Sequence, residues 1–132
     1  MTAGLAPSLV SGWLNTLRSA GTSYPAVAGT FAQLHTGDPG AAGTANVSVG
    51  STTRNSFTFA ASASGSALAL SGAPAAWTNG GTSETLTHIG VWTAASGGTF
   101  LFSVALTASK AWASGDQFTL TTLTAALTPQ SA

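Results

Sequence analysis

Two histidines, His35 and His88, are the only side chains in this 132-residue sequence whose ordinary pKa lies near neutrality. Nucleophilic catalysis needs such a base beside a nucleophile, with donors for the oxyanion. His88 alternates with Ile89 and Val91 along an apolar run, the pattern of a packed or edge strand residue, and His35 ends a short strand ahead of a turn. Serines are plentiful, but no G-x-S-x-G elbow occurs. The carboxylates Asp38, Glu84 and Asp116 all fall in or beside expected turns, where such groups cap or bond local backbone. A metal site would require His35, His88 and a carboxylate to converge, and no ligand spacing points to it. The segment "HTGDPG" lacks the closely spaced oxygens of a calcium loop, and nothing resembles a phosphate loop. No catalytic residue, metal or cofactor is expected.

The stretch "HTGDPGAAGT" therefore reads as architecture. Asp38-Pro39-Gly40 combines the preset φ of proline with the freedom of glycine, and His35 and Thr36 are expected to fasten the loop by hydrogen bonds. His35, Thr36, Asp38, Pro39 and Gly40 form a structural turn in this reading. The Asn46-Val47-Ser48 triplet reads as a strand-edge asparagine rather than a glycosylation acceptor.

Composition narrows the remaining roles. Only Arg18, Arg54, Lys110, Asp38, Glu84 and Asp116 are charged, 5% of the chain, against roughly 25% in an ordinary soluble domain. A chain of zero net charge cannot neutralise a row of phosphates, so nucleic acid is excluded as an expected partner. With no cysteine, disulfides and thiolate sites are excluded as well. The 44% apolar content, four tryptophans and six phenylalanines argue against disorder. So little charge gives weak protection against association, which points to a surface covered by neighbours in an assembly. "MTAGLAPSLV" lacks a basic signal region and no apolar run reaches the ~18 residues of a membrane span, so no membrane partner is expected.

The elements that would carry these residues follow from periodicity. Leu9, Val10, Trp13, Leu14 and Leu17 recur at helical spacing, with Pro7 suited to the first turn and Gly21 to the stop. The spacing predicts an N-terminal helix from about Leu5 to Ala20, within a segment 1–22. Its stripe must be buried either on the chain's own β-domain or on a neighbouring subunit, and Leu9, Trp13 and Leu17 are the proposed assembly contacts. From residue 23 to 132 the pattern is β. "TFAQLH", "TTRNSFTFA" and "GSALALSG" are short strands, and "SETLTHIGVWTA" and "TFLFSVALTA" form a hairpin about "SGG". In that hairpin Phe100, Phe102, Val104 and Leu106 are expected on one face. In "DQFTLTTLTAALTP", Phe118 and Leu120 share one parity while Leu123 and Leu127 have the other, the mark of a strand that changes sheet. The expected class is mainly β, an antiparallel β-sandwich or jelly-roll-like domain with one N-terminal α-helix.

The ordered set "LHTGDPG" (34–40), Arg54 before a strand, "THIGVWTAASGG" (87–98) and "KAWASGD" (110–116) resembles small virion proteins of tailed bacteriophages, labelled head decoration or tail-fibre proteins. The resemblance spans roughly residues 5 to 128 and implies a non-enzymatic structural role in the virion. A fibre shaft needs length, coiled coil or repeats, none of which occurs here. The first expectation is thus a capsid decoration protein on the outer surface of the major capsid protein lattice, assembled as a homotrimer. The alternative is a tail or tail-fibre subunit bound to tail proteins. A carbohydrate-binding β-module, with Trp77, Trp92 and Trp112 as a stacking platform, is the third.

Overall fold

A computed structural model describes residues 3–18, 24–61 and 67–126. Among these residues one helix, α1 (Pro7–Thr16), precedes eight strands: β1 (Thr30–His35), β2 (Asn55–Phe59), β3 (Ala67–Gly72), β4 (Trp77–Thr78), β5 (Glu84–Trp92), β6 (Phe100–Trp112), β7 (Gln117–Phe118) and β8 (Thr124–Ala126). Six strands form a curled antiparallel sheet in the order β6-β5-β1-β2-β3-β8, and β4 and β7 form a two-stranded ribbon. The architecture is mainly β and sandwich-like with an N-terminal helix. The described strands divide six and two, and four of them are only two to five residues long.

Register decides which side chains meet, since directly opposed residues share a face. Ala32 opposes Val91 and Leu34 opposes Ile89; Val91 opposes Phe102 and Ile89 opposes Val104. This face is the apolar one. Phe57 joins it through β2, and Phe59 stacks on Phe102 with centroids 6.5 Å apart. Trp77, Leu120 and Leu123 complete the same core. The parity change in the last strand has the cause its sequence indicates. Phe118 pairs with Trp77 in the ribbon, and six residues later Thr124 pairs with Ala69 in the large sheet. Leu120 and Leu123 are both buried across this change of partner, while Leu127 lies outside the described residues.

The opposite face is also covered, which alternation alone does not reveal. Gln33, His35, Gly90, Trp92 and Ser103 lie on it and all are buried. The cover is the 36–54 segment, which turns back from His35 and pairs Val47 against it. In β6 the expected single face breaks. A register shift between Val91 and Trp92 sets Phe100 against Trp92 while Phe102 stays opposite Val91. Phe100 therefore packs on the second face, its ring centroid 5.3 Å from that of Trp92, whereas Phe102, Val104 and Leu106 stay half-buried on the first. The extra residue of this bulge, Leu101, is buried too.

The helix begins at Pro7, whose missing N–H costs nothing in a first turn, and residues 4–6 tie it to the sheet. Ser103 N–H donates to Gly4 O at 2.8 Å and Ala6 N–H to Leu101 O at 2.7 Å. Described helical structure stops at Thr16, short of the expected Ala20; the stop at Gly21 lies outside the described residues. Among the described residues no helix is long and apolar enough to cross a membrane.

Candidate functional site

His35 closes its loop from within. Its Nδ1–H donates to Ala45 O at 2.9 Å; a carbonyl can only accept, so the proton sits on Nδ1 and Nε2 carries the lone pair. Nε2 is buried without a partner. Burial, above all, holds the ring's pKa below 6.5; the bond to Ala45 opposes this, and His88 and Arg54 reinforce it. Thr36 N–H donates to Asn46 O at 2.8 Å, Asp38 Oδ1 accepts from Gly40 N–H at 2.8 Å, and Asn46 Nδ2 donates to Asp38 O at 2.9 Å. Pro39 is buried and its carbonyl accepts from Ala45 N–H at 3.0 Å. Gly43, at φ 73, lies so close to the Phe100 ring that a Cβ there would fall 2.3 Å from Cδ2. Only glycine fits.

β1 and β5 do bring the two histidines together, His35 directly opposite His88. No third metal-ligating side chain joins them: no group of three His, Cys, Asp or Glu gathers among the described residues. His88 Nδ1 lies 2.8 Å from Thr87 Oγ1, its neighbour in sequence. The buried Ser48 donates its Oγ–H to Glu84 Oε1.

Two charged groups act as internal fasteners, and sequence reasoning assigned neither. Arg54 sits over the Trp92 ring, 3.6 Å from its centroid, with Nε–H donating to Gln33 Oε1 at 3.2 Å and Nη1–H to Gly97 O at 2.7 Å. It binds the β5–β6 turn to the second face. Glu84, opposite Trp112 in register, accepts from Ser48 Oγ–H, Gly50 N–H (3.0 Å), Val49 N–H (3.1 Å) and Trp112 Nε1–H (3.1 Å). Burial pushes this carboxyl's pKa up, but the donors outweigh it and leave it below 4.5.

The stacking platform does not form. Trp77, Trp92 and Trp112 are 2%, 6% and 1% exposed, so none offers a ring to a sugar. They are large side chains spent on the core. Among the described residues, exposed large apolar side chains gather on and just after α1, with Val49 apart on another loop. Leu9 is buried, but Trp13 is 38%, Leu14 60% and Leu17 81% exposed, with Val27 nearby at 40%. Gly12 rests directly on Tyr24, where a Cβ would fall 2.2 Å from the ring, and Trp13 meets the same ring edge-on at 6.4 Å. Between the helix and the sheet runs an apolar groove of about 510 Å³, lined by Leu5, Leu9, Trp13, Phe59, Leu68 and Phe102 among others. Exposed apolar patches of this kind mark contact surfaces.

Arg54, Glu84, His35 and Asp38 thus fasten the domain's own loops, while apolar side chains on and just after α1 stay outside. The chain belongs to the family described as podophage GP4 fiber I protein gp80, whose family model matches residues 7–128. It is a small structural protein of the tailed-phage virion. No curated protein matches the chain.

Proposed function

We propose that this protein is a non-enzymatic subunit of a podophage tail-fibre apparatus, held in the virion through the apolar surface around α1. The family match supports the fibre alternative better than the capsid decoration role placed first on sequence grounds. That first choice rested on the absence of a coiled coil and repeats. Such an absence argues against an extended shaft, but not against a compact module attached to one. The surface supports an assembly role independently: Leu14 on α1 and Leu17 at its C-cap stand exposed, an apolar surface that a partner would cover.

Fractionating disrupted particles into heads and tails tests the reading. The protein is expected in the tail fraction, together with the fibre. Recovery with empty heads would return the decoration role and overturn this one.

A further inference from the structure

The strap of residues 36–54, which covers the second face of the sheet, contributes no side chain to the hydrophobic core. Its buried positions are Pro39, Gly43, Ser48 and Gly50. A segment with so few apolar contacts is held by hydrogen bonds and opens more readily than the sheet beneath it. Its first part is bonded into one unit: Gly43 N–H donates to Gly40 O at 3.1 Å, Ala45 N–H to Pro39 O at 3.0 Å and Asn46 Nδ2–H to Asp38 O at 2.9 Å. That unit is fastened to the sheet at His35, whose Nδ1–H donates to Ala45 O and whose backbone bridges to Val47. Further on, Ser48, Val49 and Gly50 donate to the Glu84 carboxylate. Both fastenings are ionisable side chains, one bound as the neutral ring and the other as the anion.

The closed strap has no place for a proton on His35. The ring is fully buried, and its Nε2 abuts Gly90, where a Cβ would fall 2.7 Å away. A proton there would make a buried cation whose N–H has no acceptor. The charged groups that face the ring are His88, directly opposite on β5, and Arg54 ahead of β2, neither of which can compensate a cation. On the strap, Asp38 Oδ1 accepts from Gly40 N–H and the carboxylate takes nothing from the ring. We propose that the strap is an acid-operated latch: proton uptake by His35 releases residues 36–47 as a unit and uncovers the second face around Phe100, while the rest of the fold stays closed. Above pH 6.5 the ring is neutral whether the strap is open or shut, so closure is unaffected. Below 6.5 the open strap takes up the proton that burial resists, and opening is favoured. Glu84 holds 48–50 to lower pH, because the released carboxyl gains its proton only as the pH falls through 4.5.

Amide hydrogen exchange of the full chain, read by NMR as protection factors so that the intrinsic pH dependence of exchange cancels, tests the latch. Three amides report on it: Thr36, which donates to Asn46 O across the latch; Gly50, which donates to Glu84; and Leu70, which donates to Leu123 O in the sheet. Between about pH 7 and 5.5 the protection of Thr36 should fall about five- to tenfold, the span that a ring titrating at 6.5 in the open form allows. Gly50 and Leu70 should stay within about twofold over the same range. His35→Gln should abolish the fall at Thr36, and His88→Gln should preserve it. Where His35→Gln leaves Thr36 unprotected even at pH 7, the wild-type ring decides: its NMR titration must run together with the loss of Thr36 protection, and a ring that titrates apart from it overturns the inference. Constant protection at Thr36 overturns it as well, and so does a fall that survives His35→Gln. Thr36 and Leu70 falling together would mean that acid opens the whole fold, and a fall lost in His88→Gln would move the switch to the other histidine; either result overturns the latch.

Discussion

The guanidinium of Arg54 lies 3.6 Å from the ring centroid of Trp92 and at the same time bonds Gln33, Ala94 and Gly97. One side chain thus joins β1, the strand end of β5 and the β5–β6 turn, covering a tryptophan that would otherwise face solvent. Burial draws its pKa below the ordinary arginine value, yet an arginine stays charged at any physiological pH.

Arg54→Lys keeps the charge but loses the planar fork and the stacking. It should destabilise the fold by about 1–3 kcal/mol and shift tryptophan emission to the red as Trp92 gains water. Urea unfolding followed by fluorescence measures both. An unchanged midpoint would mean that the stack contributes nothing.

Glu84 makes a second test. At pH 7, Glu84→Gln replaces an acceptor-only group with one that offers an N–H to the surrounding donors, and should cost about 1.5–3 kcal/mol. The sign with pH follows from a folded pKa below the unfolded 4.5. The contribution is fully present above 4.5 and disappears as the pH falls through the lowered folded value. The difference between wild type and variant, measured by urea titration, should therefore shrink below about pH 4.5.

His35 acts in the neighbouring pH range. Its folded pKa lies below 6.5, so between the folded value and 6.5 the unfolded chain binds more protons than the native one. Stability should be level above about pH 7 and fall as the pH drops through 6.5. In His35→Gln that part of the slope should vanish while the Glu84 part remains. Equal slopes in the two proteins between pH 7 and 5 would contradict the buried, neutral assignment.

How far these features were legible varies with sequence distance. The "SGG" hairpin and the Asp38-Pro39-Gly40 turn are local, and local turn chemistry announces itself. The phase break between Leu120 and Leu123 was readable because a period of two cannot change silently. Glu84 was not readable, since its donors come from residues 48–50 and 112 and are mostly backbone N–H groups that any sequence has. The burial of Gln33 and His35 was hidden for a similar reason: a long loop of small residues, rather than an apolar strand, covers them. The Phe100 face was misplaced by a one-residue bulge at Leu101. Trp77, Trp92 and Trp112 looked available as rings because sequence gives residue type without depth.

Association through α1 should be nearly indifferent to salt, because no charged side chain lines the groove and few ions are released on contact. Raising sodium chloride from about 0.1 to 1 M should leave the associated fraction, followed by light scattering, unchanged or slightly higher. Dissociation at moderate salt would show that ion pairs hold the assembly.

The position of the protein on the intact particle tests the central claim most directly. Gold-labelled antibody against the folded domain, viewed by electron microscopy on whole virions, should cluster at the tail and its fibres and leave the capsid bare. Gold distributed over the capsid surface, with none at the tail, would contradict the account.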